Sequence, residues 1–283
     1  MKKQASEVKS SVYASKYYTN AFKGKLENFV KSLKSSQMGN RFEEVFRRAD
    51  LKKGESVLDI GCGRGELVYY SLLKGASRAC GIDYSQDALD IAQVALDKLP
   101  SDKRSRGSLK CSNVSDLELV DSFDCCFLTD IVEHLTDTQL AKLFLEIKEH
   151  LTDKGRIIIH TAPNVNWLRF EYPLKRFFKI PSTVIKRLTG KKPYKVPEDG
   201  GVLKKIVAYL DLAYMRDYYN YSLKMHINEQ SPASLKKHLD KAGLESRIWC
   251  EDGSSNFISI VCKKFWGPDI WAVARSKVKT SKL

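Results

Sequence analysis

No apolar run in the 283-residue chain approaches the ~18–20 residues needed to cross a bilayer. The opening MKKQASEVKSS carries lysines with no apolar stretch behind them, so no secretory leader is expected, and the chain reads as soluble and cytoplasmic. Cysteines are few: seven, at positions 62, 80, 111, 125, 126, 250 and 262, with no C-x-x-C pair. That spacing offers neither a disulfide framework nor a zinc site, and no metal-ligand set is expected. Most of the thiols lie in apolar runs and read as small buried hydrophobes of a reducing compartment. Internal repeats are lacking too, and a hydrophobic content of 43% excludes a mainly disordered chain.

Basic charge, by contrast, is plentiful. Lys and Arg number 48 against 34 Asp and Glu, a formal net of +14, which invites a nucleic-acid or membrane-surface reading. Its distribution argues otherwise. Residues 1–53 carry a net +8, residues 54–168 a net −6, and residues 169–205 a net +8. Residues 206–262 come to −1 and residues 263–283 to +5. An acidic middle is thus surrounded and interrupted by basic segments. With no recognition module visible, nucleic acid is not an expected partner.

Across that acidic middle, short apolar runs alternate with helical stretches, the pattern of βαβ units around a parallel sheet. Strands are predicted at 56–60 (SVLDI), 78–83 (RACGID), 108–113, 122–129 and 155–162, and helices at 65–75, 85–99 and 139–151. Ser85 is the expected N-cap of the second helix, with Pro100 just past its end.

The run VLDIGCGRGEL (57–67) places Gly61, Gly63 and Gly65 between a strand and a helix. Glycines there let the backbone turn sharply and approach a ligand closely. A nicotinamide-type fingerprint, G-x-G-x-x-G, competes for this segment. Here the third glycine comes one residue early, and acidic Asp59 precedes the loop, which suits a cationic amine better than a diphosphate. About twenty residues on, the second strand ends in Gly81-Ile82-Asp83-Tyr84-Ser85. A carboxylate at such a tip can accept both ribose hydroxyls, and the next side chain can lie on a purine ring. After the third strand, the amide of Asn113 can pair with an adenine edge.

With these segments in order, VLDIGCGRGEL, GIDYSQDALDIA, SNVSDLELVDSFDCCF, LTDIVEHLTD and LTDKGRIIIHTAPN, the chain resembles the class I S-adenosylmethionine-dependent methyltransferases over about 50–164, with a weaker piece near 225–262. The resemblance implies an α/β, doubly wound, Rossmann-like seven-stranded sheet with an antiparallel last strand, and S-adenosylmethionine as cofactor. It implies that Asp59, Gly61, Cys62 and Gly63 line the methionine half and that Asp83 holds the ribose. It places Tyr84 beside the adenine, Asn113 and Val114 at its amino edge, and Thr129 at the cofactor. Asn113 departs from the family, many of whose members have Asp there. Residues past the fourth strand, Thr129 to His134, then sit where the methyl emerges. His134 is the candidate general base, since imidazole titrates near neutrality. Asp130 is a cofactor-proximal alternative, and His160 and Asn164 are further pocket candidates.

Past Pro163 the pattern leaves the minimal fold. Trp167, Phe170, Tyr172, Phe177 and Phe178 interleave with Arg169, Lys175, Arg176 and Lys179, followed by a tyrosine-rich stretch at 209–221. Core packing of an added helical layer, contact with an anionic membrane surface, and recruitment of an anionic small molecule all fit this composition. His226, in MHINEQS before a helix capped by Ser231 and Pro232, is a second base candidate. SRIWCED and FISIVCKKF are expected to close the sheet. The expected organisation is therefore a helical cap at 1–53, a cofactor core at 54–164, a helical substrate lid at 165–225, closing helix and strands at 226–265, and a basic tail at 266–283. A small-molecule substrate and a monomer or homodimer complete the expectation.

Overall fold

The computed structural model describes residues 33, 40–171, 226–251 and 267–277. Most of the N-terminal cap, nearly all of the basic insertion and the stretch FISIVCKKF lie outside the described residues.

Seven strands form one sheet: β1 (Ser56–Ile60), β2 (Arg78–Asp83), β3 (Gly107–Cys111), β4 (Phe123–Thr129), β5 (Leu151–Thr161), β6 (Leu244–Glu251) and β7 (Asp269–Ser276). Their order is β3-β2-β1-β4-β5-β7-β6. The strands β1 to β5 pair in parallel, and β7 runs antiparallel to both neighbours. The chain leaves β1 toward β2 on one side and returns to β4 on the other, so the sheet reverses its winding between β1 and β4. Ligands of open α/β sheets lie over the carboxyl ends of strands at such a switch point.

Buried strands need apolar groups on both faces, and SVLDI is buried throughout. One face is covered by α1 (Asn40–Ala49), α2 (Glu66–Leu73) and α3 (Gln86–Leu96), whose Phe46, Leu72 and Leu96 pack with Val57, Phe127 and Trp271. A four-residue turn of helix, α4 (Ser101–Arg104), precedes β3. On the other face, α5 (Asp137–Glu149) and α6 (Pro232–Lys241) bring Leu140, Phe144, Ile147, Leu235 and Leu239 against Leu58, Leu128 and Ile159.

Two elements differ from expectation. Helix α5 starts at Asp137 rather than 139, because Thr136 and Gln139 form a reciprocal capping box. The strand that closes the sheet is β7 at Asp269–Ser276, inside the segment expected to be a basic tail, with FISIVCKKF outside the described residues. The cause is packing: Ile270, Trp271, Ala272 and Ala274 are all buried between β5 and β6.

Two buried arginines tie α1 and its flanking loop to the sheet. The guanidinium of Arg48 lies between the rings of Trp249 (4.6 Å) and Trp271 (4.2 Å) and pairs with Glu44 and Glu251. From β5, Arg156 makes a two-point pair with Glu55 (2.8 and 2.7 Å) and donates to the carbonyls of Ala49 and Asp50.

Among the described residues six cysteines are free thiols. Cys62, Cys125, Cys126 and Cys250 are buried as expected, whereas Cys111 is exposed. Burial pushes the Cys125 thiol up to about 12, so it stays protonated.

Candidate active site

The glycine loop folds back over the tip of β2. The backbone amides of Gly61 and Cys62 both donate to the Ile82 carbonyl, at 2.8 and 3.0 Å. Gly61 has φ +74°, and a Cβ there would lie 2.7 Å from Ile131 Cδ1, in the turn after β4. Gly61 thus lets the loops after β1 and β4 meet.

Asp83, at the end of β2, is 6% exposed. Its carboxylate accepts from the backbone amides of Gly63 and Ser85, each at 2.9 Å. That arrangement, with a further hydrogen bond from the Tyr84 backbone, fixes the glycine loop to β2. Burial raises the Asp83 pKa against these hydrogen bonds. Asp59, within β1, is 2% exposed, and no side chain among the described residues neutralises it. Burial first, then the neighbouring Glu66 and Asp83 carboxylates, pushes it well above the usual carboxylate range. Glu66 at the start of α2 is also buried and raised by burial, but Arg64 bonds it at 2.6 Å. Three carboxylates therefore converge, and among the described residues Arg64, with Arg41 further off, is the cation that bonds one of them. A low-dielectric site with an excess of carboxylates favours a cationic ligand.

The other expected cofactor contacts take more local positions. Asn113 caps a short 3₁₀ turn (Val114–Asp116) by accepting from the Ser115 amide at 2.9 Å. Val114 is buried in the core, and Tyr84 sits half-buried just past β2. Cys62 is buried, and burial raises its thiol well above the usual value. Thr129, the last residue of β4, has a buried hydroxyl with no hydrogen-bond partner among the described residues.

Past β4, Asp130 adopts φ +53°, a left-handed backbone that costs a non-glycine residue about 1–3 kcal/mol. The strain is held from two sides: Asp130 pairs with Arg41 of α1 and hydrogen-bonds Nδ1 of His160. His160 in turn lies against the Trp271 ring at 4.4 Å, with its Nε2 3.6 Å from Asp269. Asp130 is therefore engaged with Arg41 and His160 rather than available as a free base. Asn164 is fully buried and donates to the Gly267 carbonyl at 3.0 Å, so its side chain joins the end of β5 to the approach to β7.

The turn Val132–His134 brings together residues far apart in sequence. The His134 and His226 rings meet edge-on with centroids 4.9 Å apart. Glu133, next to His134 in the chain, is buried and accepts from the Thr161 hydroxyl at 2.7 Å. The segment 226–231, which has no regular secondary structure, is stitched to this turn by Asn228. Its backbone amide donates to the Glu133 carbonyl at 3.0 Å, and its side-chain amide donates to the Leu135 carbonyl and to Asp137. Burial, with a smaller contribution from His134, lowers the His226 pKa to about 4, so its imidazole is neutral and weakly basic at physiological pH. Both sequence-predicted histidines thus occupy one cluster. Arg41, Glu66, Thr161 and Asn228 were not singled out. Glu66 alone carried a local signal, its place directly after the glycine loop.

The family model described as a methyltransferase domain matches residues 57–155. Among curated proteins, a ubiquinone biosynthesis O-methyltransferase of Bradyrhizobium diazoefficiens is 28% identical over 131 residues, 46% of this chain and 48% of that protein. Phosphoethanolamine N-methyltransferase 2 of Caenorhabditis elegans is 33% identical over 116 residues, 41% of this chain and 25% of that protein. The chain spans about half or less of the length of these relatives. Among solved structures, the glycopeptide N-methyltransferase MtfA complexed with sinefungin has a TM-score of 0.52 at 14% identity, covering 84% of this chain and 86% of that one. A TehB-like methyltransferase from Corynebacterium glutamicum has a TM-score of 0.51 at 14% identity, covering 93% and 98%. At that identity the likeness is one of fold.

Proposed function

We propose that the chain uses residues 57–155, the stretch matched by the methyltransferase-domain family model, as a class I S-adenosylmethionine-dependent methyltransferase domain that methylates an oxygen of a small polar metabolite or glycan intermediate. The observation that carries this reading is the pair of buried carboxylates, Asp59 and Asp83, at β1 and β2 beside the glycine loop, with no side chain among the described residues neutralising Asp59. S-adenosylmethionine is cationic at its sulfonium and ammonium, and when bound it supplies an electrophilic methyl group.

The residues present fit that group. Asp59, with the backbone of Gly61, Cys62 and Gly63, would hold the methionine end. Asp83, at the tip of β2, would accept from the ribose hydroxyls, while Tyr84, Asn113 and Val114 would bound the adenine. The Thr129 hydroxyl, without a partner among the described residues, supplies a hydrogen-bonding group at the tip of β4. Methyl transfer then demands alignment of the acceptor, and a hydroxyl acceptor must also lose its proton. Of the two histidines, His226 is made a weak base by burial, which leaves His134 to take the proton. Asp130, clamped by Arg41 and His160, shapes the turn that presents His134. An amine acceptor is the second reading, consistent with the N-methyltransferase names among the relatives, and it needs no base.

Incubation with S-adenosylmethionine carrying a labelled methyl and a small-molecule extract, followed by mass spectrometry, tests the reading. Label in a metabolite at oxygen supports it, and label at nitrogen supports the second reading. His134→Ala should lower turnover by about 10²-fold or more at oxygen with cofactor affinity unchanged. A fully active variant excludes His134 as the base.

A further inference from the structure

Glu133, His134 and His226 each present one ligand atom, and these three atoms lie within 4.8 Å of one another. We propose that they form a site for a divalent first-row transition-metal ion, bound by two imidazoles and one carboxylate with its remaining positions open. Imidazole and carboxylate donors together suit zinc, cobalt, iron or manganese, and three protein ligands leave room for an exogenous oxygen.

Three observations support the site. First, Nδ1 of His226 is buried and has no hydrogen-bond partner among the described residues. A buried ring nitrogen without a partner costs free energy, and an ion bound at that nitrogen would satisfy it. Second, the buried Glu133 carboxylate is oriented by the Thr161 hydroxyl, the kind of supporting hydrogen bond that metal-binding carboxylates use. Third, Asn228 locks the His226 segment onto the turn carrying Glu133 and His134, so the ligands are brought together by hydrogen bonds that do not involve the ion. Ligand atoms around a tetrahedral ion at ~2.1 Å stand ~3.4 Å apart. Closing from the present spacing requires side-chain movement of about an ångström, a small rotamer adjustment.

An ion here makes His134 a ligand instead of a base. An acceptor hydroxyl bound in an open position would then lose its proton more readily because the cation stabilises the alkoxide. This consequence rests on the transferase reading; metal binding itself does not.

The test uses the full chain, freed of metal by chelator and titrated with Co²⁺ alone, without S-adenosylmethionine. One Co²⁺ per chain is expected, with visible d–d absorption, displacement by Zn²⁺, and a thermal midpoint raised by either ion. His226→Ala and His134→Ala should each weaken binding by more than about 100-fold. Should either variant unfold by circular dichroism, the wild-type spectrum decides: histidine and carboxylate ligation gives no thiolate-to-cobalt charge-transfer band. Absence of one-to-one binding, a thiolate band, or undiminished binding in folded variants overturns the site. Loss of cofactor binding with retained Co²⁺ binding would instead count against the transferase reading.

Discussion

Asp59→Asn should move stability and cofactor affinity in opposite directions. The wild-type carboxylate is buried among acids, and its pKa is raised well above the ordinary 3.8. Because the folded protein then holds this proton more tightly than the unfolded chain, the group destabilises the fold as pH rises above that ordinary value. The amide, nearly the same size, removes the cost. The apoprotein should gain about 1–2 kcal/mol at pH 8, or roughly 2–6 °C in thermal midpoint, and almost nothing near pH 4. Meanwhile a bound ammonium loses its buried counter-charge, at about 2–4 kcal/mol, so the S-adenosylmethionine Kd should rise about 30- to 700-fold. Scanning calorimetry at the two pH values and titration calorimetry at pH 8 measure both arms. A variant that is less stable at pH 8 and binds the cofactor as tightly as the wild type would refute the reasoning.

Other perturbations probe the frame around the site. Gly61→Ala must accommodate a methyl 2.7 Å from Ile131 in a left-handed backbone, and should cost about 1–3 kcal/mol with a weakened cofactor affinity; wild-type stability and affinity together would contradict it. Arg48→Ala removes the cation held between Trp249 and Trp271, and should lower stability by about 2–4 kcal/mol in chemical denaturation, with Arg48→Met losing less. Glu55, held below its usual range chiefly by the hydrogen bonds from Arg156, contributes stability present above pH 4.5 that is lost as pH falls through its lowered pKa. Glu55→Gln should therefore cost about 1–2 kcal/mol at pH 7, since Glu55 is partly solvated, and the difference from wild type should close in acid; a constant gap would contradict the assignment.

Local chemistry made much of the sheet readable in advance. The strand SVLDI, the glycine loop and the Ser85 cap, which accepts from the Ala88 amide, all depend on neighbours within a few residues. Asp83 was legible as an acid at a strand tip. Its bond to the Gly63 amide was not, because that contact spans 20 residues. Likewise β7 carries no stronger strand pattern than FISIVCKKF, and only its insertion between β5 and β6 buries Trp271. At the site, His134 and His226 were visible singly. Their meeting depends on Asn228, and the clamp on Asp130 depends on Arg41, a residue 89 positions earlier in the chain. Side chains that act on distant backbone leave no periodicity to read.

The central claim is that the acidic tips of β1 and β2 hold a cationic methyl donor rather than a dinucleotide. Titration calorimetry of the wild-type chain with S-adenosylmethionine and, separately, with NAD tests it most directly. The account predicts saturable one-to-one binding of S-adenosylmethionine, competed by S-adenosylhomocysteine, and no heat with NAD. Binding of NAD with no detectable binding of S-adenosylmethionine would contradict it.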